Sequence, residues 1–225
     1  MKILKYLVIL IFFTPCCATS QTPKAIKAEL SKYFKRIGYW EQHRYDENVT
    51  GDDSLLEAND NFQQRLKIYA VKYPFTLNQN FSAIKHLVVC TADDKNLRSY
   101  SWDDGLGGTL RFYRNTIQFS EKGKLYSVNV ETGLITAIYM LKTNHQKYYL
   151  ITDFGQAMTG YNSEGVQIWS VRNGHLVRDN RLIKTESGYK NSISYAYYWT
   201  NDPSDGFLSY NKELKMLDFP GYYQG

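Results

Sequence analysis

The sequence predicts an α+β protein in which two short N-terminal helices pack on a large antiparallel β-meander. Apolar residues recur every three or four positions within residues 21–80, and at alternate positions in many short runs of residues 81–225. Tight turns separate these later runs, and no segment among them has the length and pattern of the crossover helix that parallel strands need. We expect the meander to form a sheet, a sandwich or a barrel, and to share one domain with the helices.

The first 20 residues have the pattern of a cleaved export signal. Lys2 and Lys5 precede an unbroken apolar run at residues 6–13, and the small residues at 18–20 suit a signal peptidase. The apolar run is far shorter than the ~20 residues that span a bilayer as a helix. We therefore expect a protein exported to the periplasm or the extracellular space, with no transmembrane segment in its mature chain.

The cysteines give a second argument about the compartment. Cys16 and Cys17 leave with the signal, so the mature chain keeps Cys90 alone and cannot form an intramolecular disulfide. Such a chain is more typical of a bacterial exported protein, and Cys90, at the end of an apolar run, is expected to be a buried, unreactive thiol. A lipid anchor on Cys16 or Cys17 is the alternative, which the preceding Pro15 disfavours because lipid acceptors usually follow a small residue.

Composition argues against a nucleic-acid partner and points to aromatic residues. Without Lys2 and Lys5, 25 basic residues face 22 acidic ones, a formal net charge of +3 with the two signs interspersed. No basic run of the kind that binds nucleic acid is present. The chain contains 20 Tyr, 11 Phe and 4 Trp, more than cross-strand pairing in a core requires. Some of these rings are expected at the surface, where Tyr and Trp favour recognition of sugars or proteins.

The helical segment contains two predicted helices and a loop. The first covers residues 23–40, with Pro23 in its first turn and apolar residues spaced by three and four. Residues 41–60 are polar and are interpreted as a loop. The second helix follows, carries Phe62 and Leu66 on its apolar stripe, and ends at Pro74.

The β region is predicted to contain about a dozen strands. The Asn173-Gly174 pair between two of them is the strongest hairpin signal, since it favours a type I′ turn. The predicted strands are 84–91, 97–102, 109–114, 116–120, 125–130, 134–141, 147–154, 166–171, 176–185, 192–199, 207–211 and 214–219.

The candidate ligand-binding residues come from two strand–turn segments. Tyr195, Tyr197 and Trp199 share one face of a strand by alternation. Trp102 and Asp103 end an earlier strand. We expect these five residues to form part of an aromatic recognition surface.

The segment around Asp103 resembles a known turn motif. Ser101-Trp102-Asp103-Asp104-Gly105 is similar to the opening of the Asp-box of sialidase-like propellers, although the Thr-Trp that completes that motif is absent. The resemblance covers five residues and implies a polar hairpin turn rather than catalysis. A propeller-like fold is therefore a minority expectation, because a dozen strands are too few for four blades of four strands.

The sequence contains no dense catalytic or metal-binding constellation. The four histidines show no ligand spacing, so we expect neither a metal nor a cofactor. The leading hypothesis is a non-enzymatic binding protein for a glycan, a peptide or an envelope partner. One alternative is a glycan-acting hydrolase with acids from Asp93-Asp94 or Asp103-Asp104. Another is a structural component of envelope assembly.

Overall fold

The computed structural model describes residues 21–46, 50–143, 146–158, 160–198 and 208–218. The predicted signal with Cys16 and Cys17 lies outside these ranges. The described residues form two α-helices and thirteen short strands, and every strand pair is antiparallel. The predicted α+β class and the β-meander are confirmed. In these ranges no sheet closes into a barrel, and neither helix has the length and apolar character to cross a membrane.

Helix α1, Pro23–Gln42, begins and ends close to its predicted bounds. The hydroxyl of Thr22 accepts a hydrogen bond from the backbone N–H of Ala25 at 3.2 Å and caps the first turn. Pro23 fits the position after the cap because that residue needs no backbone donor. Ile26, Leu30 and Ile37 are buried, which confirms the predicted apolar face.

Helix α2, Gly51–Lys72, is longer than predicted, and the expected loop over residues 41–60 is wrong. Asp52 and Asp53 lie in its first turn, where acidic side chains are stabilised by the helix dipole. Leu55 continues the apolar stripe about two turns before Phe62. The predicted end is confirmed, since a short 3₁₀ helix, Pro74–Leu77, follows.

Most strands stack as two sheets. The first sheet has the order β1-β2-β3-β4, and the second has the order β11-β7-β6-β5, with β8 paired to β7. Two short hairpins, β9–β10 and β12–β13, complete the set. The strands are β1 (Val88–Thr91), β2 (Leu97–Asp103), β3 (Tyr113–Glu121), β4 (Lys124–Val130), β5 (Leu134–Lys142), β6 (Lys147–Met158), β7 (Tyr161–Arg172), β8 (His175–Val177), β9 (Ile183–Thr185), β10 (Gly188–Lys190), β11 (Ser192–Tyr198), β12 (Ser209–Asn211) and β13 (Met216–Asp218).

Some strand bounds differ from the predictions. The expected strands 109–114 and 116–120 are a single strand, β3, preceded by an irregular segment. The expected strand 176–185 divides into β8 and β9, and β10 was not predicted. The hairpin at Asn173-Gly174 is confirmed, and both residues have the positive φ angles, 53° and 76°, that a type I′ turn requires.

Alternation along the strands creates three apolar layers. Tyr100 and Trp102 of β2 face the helices and pack with Leu30, Phe62 and their neighbours. Residues of both sheets, including Ile117 and Trp169, form the layer between the sheets. A third cluster lies on the outer face of the second sheet. The half-buried Cys90 belongs to the middle layer, where its S–H donates to the Thr136 carbonyl at 3.1 Å and burial raises its pKa.

Candidate functional site

A large cleft lies where the C-terminal half of α1 meets the segment 83–86 and the β2–β3 connection. Its volume is about 1040 Å³, which is close to the upper end of the range of small-ligand sites. We call it the Asp103 cleft, after the one described residue of the predicted site that lines it. Its lining includes polar and aromatic side chains, among them Tyr39, Glu41, His86, Asp103, Arg111 and Tyr113.

Asp103 is placed by the pairing of β2 with β3. It is the last residue of β2 and lies opposite Tyr113, the first residue of β3. One carboxylate oxygen accepts a hydrogen bond from the backbone N–H of Gly105 at 2.9 Å. The other forms an ion pair with Arg111 Nη1 at 3.1 Å. Both oxygens therefore have a partner, and the carboxylate is held in one orientation.

The irregular connection after Asp103 is held from two sides. Arg44 Nη1 donates to the Gly105 carbonyl at 2.9 Å, which ties the connection to the end of α1. Gly107 lies against the chain itself, because a Cβ at this position would be 1.8 Å from the Leu110 carbonyl oxygen. The connection is thus packed against α1 and against the chain itself at Gly105 and Gly107, beside the cleft.

Asp104, next to the cleft residue, has a structural role. Asp104 is 7 % exposed, and its carboxylate accepts from the backbone N–H of Leu106 at 2.9 Å. Its carbonyl accepts from the buried Asn59 amide of α2 at 2.8 Å. Burial raises the pKa of the Asp104 carboxyl, although Arg114 opposes this shift. These contacts fix the start of the connection on which Arg111 depends.

Arg111 also borders a second, shallower depression. Its backbone N–H donates to the Gln156 carbonyl at 2.9 Å, and both residues line the Asp103 cleft and the depression of about 430 Å³ beside it. That depression contains Asp153, which accepts from Thr132 Oγ1 at 2.8 Å and from Gln167 Nε2 at 3.1 Å. Burial raises the pKa of Asp153. A polar strip therefore extends from the cleft across Arg111.

Aromatic rings form the less polar part of the cleft. Tyr39 is 53 % exposed and packs edge-on against Trp40, with a distance of 5.1 Å between ring centroids. Tyr113 is half-buried, and burial together with the nearby Asp103 charge raises its pKa. The Tyr113 phenol therefore stays protonated at neutral pH. Each of the two rings offers a flat apolar face with a polar tip.

The four predicted site residues that the structure describes do not form one surface. Trp102 has no exposed surface, and its indole N–H donates to Asn59 Oδ1 at 2.8 Å, so it belongs to the core and we remove it from the site. Side chains alternate along β2, so Trp102 faces the helices while the next residue, Asp103, faces the cleft. Trp199 lies outside the described residues.

Tyr195 and Tyr197 are brought together, but on a buried carboxylate. Their rings stack at 5.4 Å, and their hydroxyls donate to the two oxygens of Glu164, each at 2.9 Å. Glu164 is 6 % exposed and also accepts from the backbone N–H of Leu208. Burial and hydrogen bonding to Glu164 raise the pKa of Tyr195. This cluster joins β11 and β7 to residue 208, and it does not line the Asp103 cleft.

The other candidate acids have structural partners. Asp94 accepts from Lys147 Nζ and from the Tyr149 hydroxyl, both at 3.1 Å. Asp93 pairs with Lys212 at 3.0 Å.

No group of three potential metal ligands occurs in the part of the chain that the structure describes. Comparison of the chain with protein-family models, with curated proteins and with solved structures gives no match.

Sequence reasoning missed most of the cleft. Tyr39 adjoins Trp40, which the helical pattern assigned to the apolar stripe, and nothing in the sequence places Tyr39 near Asp103. Arg111 was included in a predicted strand. The one usable signal was the antiparallel hairpin after Asp103, which implies that a residue about ten positions later lies opposite it.

Proposed function

We propose that the protein is an exported, non-catalytic binding protein whose Asp103 cleft takes a glycan. The observation that carries this proposal is the ion pair of Asp103 with Arg111 at the wall of a cleft that also presents the exposed ring of Tyr39. Sugar hydroxyls donate to carboxylates and accept from guanidinium groups, and their apolar C–H faces pack on aromatic rings.

The mixed charge of the cleft supports a neutral, hydroxyl-rich ligand over a charged one. Glu41 and Asp103 lie in the same cleft as Lys35, Lys85 and Arg111. Neither sign dominates, so a strongly anionic or cationic ligand would meet like charges as well as opposite ones. A ligand with many hydroxyl groups can use both kinds of partner at once.

A glycan hydrolase is the second candidate, because two carboxylates, Glu41 and Asp103, line one cleft as such enzymes require. The binding proposal is favoured by the partners of Asp103. Its oxygens are held by Arg111 and by the Gly105 N–H, an arrangement that suits a fixed hydrogen-bond acceptor better than a proton donor.

The test is a glycan array probed with the purified protein, followed by titration of the best oligosaccharide. We expect Tyr39→Ala and Asp103→Asn each to weaken binding about tenfold, since each removes a contact worth roughly 1–2 kcal/mol. Tyr189→Ala is the matched control, because Tyr189 is 62 % exposed and does not line the cleft.

Three results would count against the proposal. Loss of binding with Tyr189→Ala as large as with Tyr39→Ala would place the ligand elsewhere. Release of shorter oligosaccharides that stops in Asp103→Asn would favour the hydrolase. No retention on any glycan, together with a stable crosslinked envelope protein, would favour a component of envelope assembly.

A further inference from the structure

A second groove lies on the outer face of the second sheet, the face turned away from the first sheet. Its volume is about 730 Å³, and it shares no residue with the Asp103 cleft. We call it the lysine-rimmed groove. Its floor is formed by Leu150 of β6 and Ile168 of β7, with Ile183 and Ile193 beside them. These side chains belong to the third apolar cluster, so the floor is hydrocarbon.

Every charged residue in the described lining of the groove is a lysine. Lys142, Lys184, Lys212 and Lys215 are the charged residues among the 16 described residues that line it, and no carboxylate is among them. Lys212 pairs with Asp93 at 3.0 Å, outside the groove. Lys142, Lys184 and Lys215 form no ion pair with another described residue. These three positive charges around an apolar floor repel one another, and an anion bound at the rim would offset that repulsion.

Part of the apolar lining is left in contact with water. Leu182 and Met216 are 43 % and 56 % exposed, and both line the groove. Exposed apolar side chains that border a concave, lysine-lined surface are typical of a binding site rather than of an ordinary surface. The groove therefore offers contact surface for a hydrocarbon and charge for an anion.

The β12–β13 hairpin forms one wall of the groove and is anchored at two points. Tyr210 of β12 packs on Tyr139 of β5, with 5.1 Å between ring centroids. Lys212 in the turn binds both oxygens of Asp93, at 3.1 and 3.0 Å. These anchors hold Lys215, which follows in the same turn, beside the apolar floor.

We propose that the lysine-rimmed groove binds a single-chain anionic amphiphile, that is, an acyl or alkyl chain that ends in a carboxylate or a phosphate. The chain lies along the apolar floor and excludes water from it. The anionic group lies at the rim, where Lys184 and Lys215 supply the opposite charge. A peptide fits less well, since its backbone would leave polar groups unpaired on a hydrocarbon floor.

The test is calorimetric titration of the protein with decanoate, dodecanoate and tetradecanoate below their micelle concentrations. Affinity is expected to rise about fourfold for each additional buried methylene until the groove is filled. Dodecyltrimethylammonium, of the same chain length and opposite charge, is expected to bind at least about tenfold more weakly than dodecanoate.

Matched variants separate the groove from general charge attraction. Lys184→Gln with Lys215→Gln is expected to weaken dodecanoate binding about tenfold. Lys24→Gln with Lys122→Gln removes the same charge elsewhere and is expected to leave the affinity within about twofold. Lys122 is a close match for Lys215, because both occupy hairpin turns with positive φ, 51° and 54°.

The hydrocarbon part is tested at the mouth of the groove. Leu182→Ser with Met216→Ser alters two exposed side chains, so the fold is retained, and the gain in affinity per methylene is expected to shrink. Equal binding of the cationic detergent, or an affinity independent of chain length, would overturn the proposal. Association with vesicles of anionic phospholipid without binding of monomeric dodecanoate would overturn it too, in favour of a membrane surface.

Discussion

The buried amide of Asn59 connects α2 to the strand that carries Asp103. Asn59 has no exposed surface. Its Nδ2 donates to the carbonyls of Leu55 at 2.9 Å and Asp104 at 2.8 Å, and its Oδ1 accepts from the Trp102 indole at 2.8 Å. Substitution of Asn59 by alanine removes all three hydrogen bonds. It also leaves the indole N–H and the Asp104 carbonyl buried without these partners.

The expected loss is large for a single side chain. Each buried polar group left unpaired costs about 1–3 kcal/mol, and two are left. Alanine is a better helix former than asparagine, and this difference offsets the loss of stability by roughly 0.5 kcal/mol. We therefore expect Asn59→Ala to lower the free energy of unfolding by about 2–5 kcal/mol. For a chain of this size, a loss of about 3 kcal/mol lowers the Tm by roughly 6–12 °C.

Urea unfolding followed by far-ultraviolet circular dichroism measures this loss. Asn61→Ala is the control on the same helix, since the Asn61 side chain makes only a 3.3 Å contact with Glu57 at the surface. Trp102→Phe removes the donor from the other side of the hydrogen bond. The double variant with Asn59→Ala is expected to lose about 1–2 kcal/mol less than the sum of the single losses.

Two outcomes would refute the reasoning about Asn59. One is a loss no larger than that of Asn61→Ala. The other is strict additivity of Asn59→Ala and Trp102→Phe, because independent effects would mean that the hydrogen bond between the two side chains does not contribute to stability.

The remaining predictions concern the cleft wall, the pH dependence of stability and the N-terminus. Gly107→Ala is expected to cost at least about 2 kcal/mol and to weaken ligand binding, because its Cβ would overlap the Leu110 carbonyl oxygen. Asp94→Ala is expected to cost about 2 kcal/mol at pH 7. Burial raises the pKa of Asp94, but Asn96 and Lys147 outweigh burial and lower the pKa overall. The Asp94 carboxylate therefore stabilises the fold above about pH 4. This stabilisation is lost as the pH falls through the pKa of the folded state. Mass spectrometry of the protein after expression of the full sequence is expected to show a chain that begins at Gln21.

Each of these predictions has a control and a contradicting result. Gly108→Ala is the control for the cleft wall, since a Cβ at Gly108 has no neighbour within 4 Å, and equal losses at Gly107 and Gly108 would exclude the clash. For Asp94 the control is Asp93→Ala, which removes an exposed pair worth about 0–1 kcal/mol. A cost of Asp94→Ala that persists at pH 2 would exclude ionisation as its source. A mature chain that begins with an acylated Cys16 or Cys17 would establish the lipid anchor instead.

The elements that were predicted well depend on local patterns. Alternation and turn chemistry placed most strands, and the Asn173-Gly174 turn forms as expected because its positive φ angles suit these two residues. The start of α2 was missed because Asp52 and Asp53 favour both a polar loop and the first turn of a helix. Packing of Leu55 against the sheet decides between the two, and a sequence does not show which face of a segment is covered.

The same distinction applies to the functional residues. The α+β class and the aromatic-rich composition follow from the sequence alone, since they depend on hydrophobic period and residue counts. Only the tertiary structure separated Trp102 from Asp103, because alternation turns one side chain into the core and leaves the other in the cleft. Likewise, Tyr39 and Arg111 are far apart along the chain. They line one cleft because the packing of α1 beside the β2–β3 connection brings them together.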